Sequence, residues 1–561
     1  MNEHSREITV YKLWIVYCLA LFGSACWGAE PKMLAHWPLQ ENPESAIELA
    51  TESSVEGLTF GTTGPAGAER LAARFDGERS VIRIPNSPSF RPGAEPFSVS
   101  SWVYTDGATT DVPGDILSQY DPVTRTGFHL GLYSHGGVTN SQSNSRQLHF
   151  GIDQGRIEPE FTDHGQLGNA VYIFSLCVCQ GRLYAATCHP GESETGRVFR
   201  YEEGQKWTDL GSPDQSNAIS AMAVHEGQLY VASCKYRLAG SALSESQNPH
   251  FGGRVYRLGA DNAWVSCGAL SPETEGVASL VVFQGQLYAG SLYKPAGFFR
   301  YEGGQRWTSL PTPGGKRVEA LTVFNGGLFA TSYDEGSVFR FDGKEWAPVG
   351  VIPQATQTYG FAVHRGSLFV SEWPQAHVYR YTGGTHWEDA GKLGGELEAM
   401  PLLVYNGKMY GGTLPLAEVY RYDGQTDWSR IGRVDHTPDV KYRRAWSMAV
   451  YQGRMFVGAL PSGRVLSIEA GRNATFDREF PAGWHHVTAV RGTDRLQLYV
   501  DGVQVGESAR FDPARYDLNS DQPLEIGFGA QDHFQGGLSD LRLYRGALTP
   551  SQIAELATKS P

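Results

Sequence analysis

Glu319 and Glu398, Arg317 and Arg444, and the rings of Tyr359 and Trp446 recur at matching positions of a repeated module, and they are the side chains of this chain best suited to chemistry. Glu319, Tyr359 and Trp446 each stand seven residues before a glycine, at Gly326, Gly366 and Gly453; Arg317, Glu398 and Arg444 stand two residues earlier in their own modules. Neighbouring loops add Asp334, Glu372 and Trp373, with His189, Lys235 and Tyr293. Aromatic rings beside arginines and carboxylates suit sugar or acidic-glycan recognition, because a ring covers C–H groups while charged hydrogen bonds fix orientation. Glycoside hydrolysis needs two carboxyl groups at a defined separation, which makes Glu319 and Glu398 the candidate acid/base pair. The default alternative is a polar rim solvated around a water-filled channel.

What must position them is an array. The turn glycine recurs at Gly181, Gly227, Gly285, Gly326, Gly366, Gly407 and Gly453, between about 158 and 470, a period that signals an array or a propeller. Within one module, EALTVFNGGLFATSYDEGSVFRFDGKEWAPVG (319–350) holds four short runs rich in Val, Phe, Tyr, Trp and Thr separated by Gly-bearing turns, which reads as a four-stranded blade. A lone four-stranded sheet cannot bury its faces, so the blades must stack around an axis, and only a closed ring leaves no raw terminal sheet. The seven glycines predict seven blades. The last module stops after WSMAVYQ, RMFVGAL and RVLSIEA, whereas EPEFTDHGQLGNA (158–170) aligns with the fourth strand and exit loop KWTDLGSPDQSNA (206–218) and has no strands of its own before it. The expectation is a closing strand that joins the first module to the last and brings the two ends of the ring together, so that the ring can be inserted in a loop of another domain.

The chain has 561 residues, 41% hydrophobic and 19% charged, with 67 glycines and 27 tyrosines, which suits a turn-rich all-β protein of more than one domain. A formal net charge of −13 without a basic face argues against nucleic acid as a partner. Residues 1–29, with Arg6 and Lys12 before LWIVYCLALFGSACWGA and small residues at Ala25, Gly28 and Ala29, read as a signal peptide. The apolar run is short for a membrane span, and Cys26 makes a weak site for a lipid anchor. Beyond it lie five cysteines, Cys177, Cys179, Cys188, Cys234 and Cys267. Cys188 and Cys234 occupy the same position of adjacent modules and could form a disulfide or remain small buried thiols.

The flanks, 30–157 and 472–561, lack the repeat and alternate apolar with polar residues. FDG, IPNSPSF, PFSVSSWV, WHHV, LYVDG and GLSDLRLYRGALTPSQI, in this order, resemble the laminin-G-like (LamG), concanavalin A-like jelly roll common in secreted proteins. The resemblance implies a two-sheet sandwich whose halves are separated by the ring, inserted between the strands QLHFGI and WHHV. It also implies a structural calcium ion near Asp76 and Asp540, although the usual loop after the first strand is replaced by QENPESAIELATESS. The alternative is that Asp76 shapes an Asp-Gly turn and Asp540 bonds backbone.

The fold expected is therefore all-β: a concanavalin A-like jelly-roll sandwich split by an inserted seven-bladed β-propeller at 158–471. The function expected is a secreted or periplasmic/cell-surface binding protein without catalysis, recognising carbohydrate or a surface protein partner through the propeller mouth, the jelly roll or both. The ligand residues would be Tyr359, Trp446, Arg317, Arg444, Trp373, Glu372 and Asp334, the metal residues Asp76 and Asp540. The second reading is a glycan-active hydrolase or lyase using Glu319 and Glu398.

Overall fold

The structure, a computed structural model, describes residues 30–46, 53–65, 67–88, 90–109, 111–137, 142–155 and 160–558. The expected leader and Cys26 lie outside the described residues. Strands from both flanks share two sheets. One runs Thr59–Gly64, Gly67–Asp76, Gln535–Arg545, Phe97–Thr105, Gly483–Arg491, Leu496–Val500, Val503–Glu507, with Lys32–Trp37 also paired to Gln535–Arg545. The other runs Ser54–Glu56, Val81–Ile84, Leu524–Ile526, Gly114–Asp121, Thr126–His135, Asn144–Gln154, Arg472–Phe476. Alternate residues of each strand point inward. Val99, Phe128, Phe150, Val487 and Leu543 thereby enter one core between the sheets. The terminal helix, Pro550–Thr558, seats Ile553 with Val490, Tyr499 and Tyr544 on the outside of the first sheet.

Between the flanks the repeat forms a β-propeller arrangement. Among the described residues it comprises five separate four-stranded sheets rather than the seven expected, together with one eight-stranded sheet. The first two modules run together in that larger sheet because Cys188 bridges to Ala218 across the gap between them. The sheet that contains Arg444–Tyr451, Arg454–Leu460 and Arg464–Ile468 takes its fourth strand from Thr162–Gln166. Successive modules are tied by tryptophan. Trp207, Trp264, Trp307, Trp346, Trp387 and Trp428 each donate the indole N–H to a carbonyl of the preceding outer strand or its exit loop, at 2.8–3.1 Å. Their rings thus contribute both apolar area and a hydrogen bond. Of the arginines that recur in the third strands, Arg200, Arg300 and Arg421 pair with the acid two residues on, and Arg380 with Glu388.

Five of the seven hairpin turns that carry the repeat glycines bond to the seven-stranded sheet or the loops beside it. Asn406 donates to Ile152 O at 3.0 Å and Ala470 O at 2.6 Å and bonds His129 at 2.9 Å; Gly326 N donates to Asp111, Gly366 N to Gln531 O, Gly453 N to Thr475, and Gly181 N to Asp477 O. That sheet face carries Asp115, His129, Tyr133, His149 and Asp153, all buried. The sandwich therefore spends its most polar face on the propeller, and the open end of the ring is the opposite one, where the first strands begin.

Candidate functional site at the propeller axis

Each first strand begins with a register shift against the second, between Ile173 and Ser175, Val318 and Leu321, Thr358 and Phe361, Ala399 and Leu402, and Ala445 and Ser447 among others. A bulge leaves a residue unpaired and re-aims its side chain. The residues so released are Phe174, Glu319, Tyr359, Met400 and Trp446, the position seven before each turn glycine. They meet at the axis: Phe174, Tyr359, Met400 and Trp446 share one cluster with Tyr172, Leu238 and Leu292. Ring centroids lie 5.3 Å apart for Tyr172 and Trp446 and 6.4 Å for Tyr359 and Trp446.

Set among these rings are Glu319, Glu398 and Arg444, exposed by only 2%, 7% and 7%. Burial pushes the Glu319 carboxyl up to about 8, against the pull of Arg317 and Arg444 and with the help of Glu398. Burial likewise lifts Glu398 to about 7, with Arg444 opposing and Glu372 assisting. For Arg444 burial works against the charge, but Tyr172, Tyr236, Glu398 and Tyr359 outweigh it and the guanidinium is held more tightly protonated than usual. Its Cζ lies 5.7 Å from the centroid of the Trp446 ring. Tyr172 OH, Glu319 Oε2, Glu398 Oε2 and Arg444 Nε are buried atoms without a hydrogen-bond partner. Such atoms are costly, and a cluster of them in one place points to a site that is completed by something else.

The other expected residues divide. Arg317 and Asp334 satisfy each other, with Nη2 to Oδ1 at 2.7 Å and the Arg317 N–H to Oδ2 at 2.9 Å, and Arg317 also covers the Tyr333 ring at 4.4 Å. They build the wall and present no free charge to a ligand. Glu372 accepts from the N–H groups of Gln375 and His377 through Oε1, shaping its own turn, while Oε2 is unpaired. Trp373 packs half-buried at the edge of the axial cluster. Tyr172, Tyr236, Leu238 and Ser241 belong to the site and were not singled out by sequence, although Tyr172 stands nine before Gly181, as Arg444 does before Gly453.

Asp76 and Asp540 are occupied by protein donors. Burial opposes ionisation of Asp76, but the N–H groups of Arg79, Glu78 and Ser80 and the Ser80 hydroxyl outweigh it and hold the carboxyl at about 2. Asp540 bonds His36 at 2.6 Å and Arg542 at 2.8 Å. Among the described residues no group of three or more His, Cys, Asp or Glu side chains could hold a metal ion. All five cysteines are free and buried, and Cys188 and Cys234 both pair with Ala218, one on either side, so a strand separates them. This corrects the expected option of a disulfide. An open groove of about 720 Å³ lined by Arg254, Glu302 and Trp307 lies on the outer rim, apart from the buried acids.

Compared with known proteins, residues 435–554 match the model of the concanavalin A-like lectin/glucanases superfamily, a span that takes in the last repeat module and most of the second half of the sandwich. The chain thus carries a concanavalin A-like domain beside a β-propeller arrangement. No curated protein matches it. Among solved structures it is similar to virginiamycin B lyase from Staphylococcus aureus, at 10% identity over 56% of this chain and 99% of that one, with a TM-score of 0.44. It is also similar to YCF48 from Cyanidioschyzon merolae, at 11% identity over 55% and 98%, with a TM-score of 0.40. Likeness at this level says nothing about ligand or activity.

Proposed function

We propose that this is an exported carbohydrate-binding protein whose ligand sits in the axial chamber of the propeller and is not turned over. The observation that carries the reading is the convergence of Tyr172, Glu319, Glu398 and Arg444, each with a buried polar atom left unpaired, on the rings of Tyr359 and Trp446. Sugars match such a lining because one face of the ring is apolar while its edge carries hydroxyls that both donate and accept. The concanavalin A-like domain supports a carbohydrate-related role, and the apolar leader at 1–29 supports export. Because the sandwich face rich in His, Tyr and Asp is buried under the propeller, the chamber is favoured over that face as the ligand site. A glycan array probed with the wild type and with Trp446→Ala tests the reading: binding by the first and loss by the second supports it, and an array equally occupied by both overturns it.

One observation favours the second reading. Carboxyls at about 8 and about 7 lie where a general acid and a general base operate at neutral pH, so Glu319 and Glu398 could serve a hydrolase or lyase. Release of product from an array ligand, abolished by Glu319→Gln, would establish it.

A further inference from the structure

The chamber is closed from above by the loop between Gln228–Cys234 and Arg254–Leu258. This loop is the longest in the repeat, and long structured loops in compact domains tend to be functional. At its tip a short turn, Leu238–Ser241, is built unlike the residues around it: Leu238 and Ser241 are 0% exposed while Arg237, Ala239, Gly240 and Ala242 face solvent. Leu238 packs in the cluster of Tyr172, Phe174 and Trp446. The Ser241 hydroxyl accepts a hydrogen bond from Arg444 Nη1 and bonds Tyr236 OH at 2.7 Å. The chain thus lays an apolar group on the rings and sets a hydroxyl against the guanidinium, the two demands that a sugar ring meets in a single molecule.

We propose that the Leu238–Ser241 turn is a resident stand-in for the ligand, which a hydroxyl-rich ring with one apolar face, a pyranose, displaces on entering the chamber. This rests on the carbohydrate reading above and adds the ligand's class and the way access is controlled. A hydroxyl-rich ring is indicated because the chamber's unpaired atoms, the Glu319 and Glu398 carboxyl oxygens, the Arg444 Nε donor and the Tyr172 hydroxyl, call for a ligand that both donates and accepts. The turn can leave without unravelling the loop. Lys235 Nζ donates to Ser246 O at 2.9 Å and to Asn248 O at 2.5 Å, and Asn248 donates to Glu194 O and Gln215 O, so the base is fixed independently of the tip. The tip is tied by Glu245, whose carboxylate accepts from the Leu238 and Ala239 N–H groups, and by the exposed Arg237, bonded to Glu275 at 2.6 Å and stacked over Tyr293. In the free protein the chamber is open only for the fraction of time that the turn is out, and the apparent affinity is reduced by that fraction.

The test uses the whole protein and the single variants Ser241→Ala and Leu238→Ala, each a small truncation, with a panel of methyl glycosides. Three quantities are read: amide hydrogen exchange over 237–243, acrylamide quenching of Trp446 taken as the difference from a Trp446→Phe background, and glycoside affinity by calorimetry. The expected result is exchange about tenfold faster in both variants, greater quenching, and glycoside binding tightened about three- to tenfold, with glycoside also speeding exchange of 237–243 in the wild type. Unchanged exchange and quenching in both variants overturn the displacement. Glycoside binding that slows exchange over 237–243 overturns it too, since the turn would then be closing over the ligand. Variants that open but bind no glycoside overturn the proposal by a different route, through the carbohydrate reading itself.

Discussion

Trp207 donates its indole N–H to the carbonyl of His164 at 3.0 Å, so the first repeat module is fastened to the strand that completes the last. Every other tryptophan of the series makes the same reach to the module before it, and Phe161 replaces tryptophan in the closing strand, packing towards Gly432. Trp207→Phe keeps most of the ring and deletes the donor, leaving the His164 carbonyl short of a partner. The expected loss is about 1 kcal/mol of unfolding free energy, read as a lower midpoint in urea denaturation.

The contact between the two halves of the molecule turns on Asn406, whose amide reaches Ile152 O, Ala470 O and His129 together. Asn406→Ala removes these three buried hydrogen bonds. It should cost about 2–4 kcal/mol and separate the unfolding of sandwich and propeller, visible as two calorimetric transitions where the wild type shows one.

How much of this was legible follows from particular residues. The pairing of Thr162–Gln166 with Arg464–Ile468 has its trace in the likeness of 158–170 to 206–218, because an orphan fourth strand at one end and a missing one at the other are visible as pattern. The axial residues were legible for the same reason: a fixed offset from a turn glycine fixes position in a strand, and Tyr172 was there to be read by that offset. Three things were not. The merging of the first two modules depends on one approach of Cys188 to Ala218, a matter of packing rather than of period. The sequence offers Arg317 and Asp334 as ligand residues, but it cannot tell that two opposite charges are spent on each other. Leu238 and Ser241 sit in a loop without periodicity, and only its tertiary course turns them inward.

Glu319 gives stability a pH dependence of known sign. Its carboxyl titrates at 4.5 when unperturbed and about 8 in the folded chamber, so between those values the unfolded chain gives up its proton first and stability falls as pH rises. Below 4.5 the penalty is absent; above 8 it is complete. Glu319→Gln removes it, and the variant should exceed the wild type by on the order of a few kcal/mol at pH 8.5 and match it at pH 4. Urea denaturation of both proteins at the two pH values checks this.

The cysteines should behave as inert core atoms. Burial pushes the thiols of Cys177, Cys188 and Cys234 well above their ordinary range, which leaves almost no thiolate to react. Native protein should therefore react with a thiol reagent only at the rate of global unfolding, release five equivalents for residues 30–561 when denatured, and keep its melting temperature in dithiothreitol.

The axial chamber as the ligand site is tested most directly by a crystal structure of the protein with the glycan that an array selects. The account predicts electron density for a sugar ring among Tyr172, Glu319, Glu398 and Arg444, against Trp446, with the Leu238–Ser241 turn moved outward. Sugar density on the sandwich or in the rim groove beside Trp307, with the chamber still filled by Leu238, would contradict it.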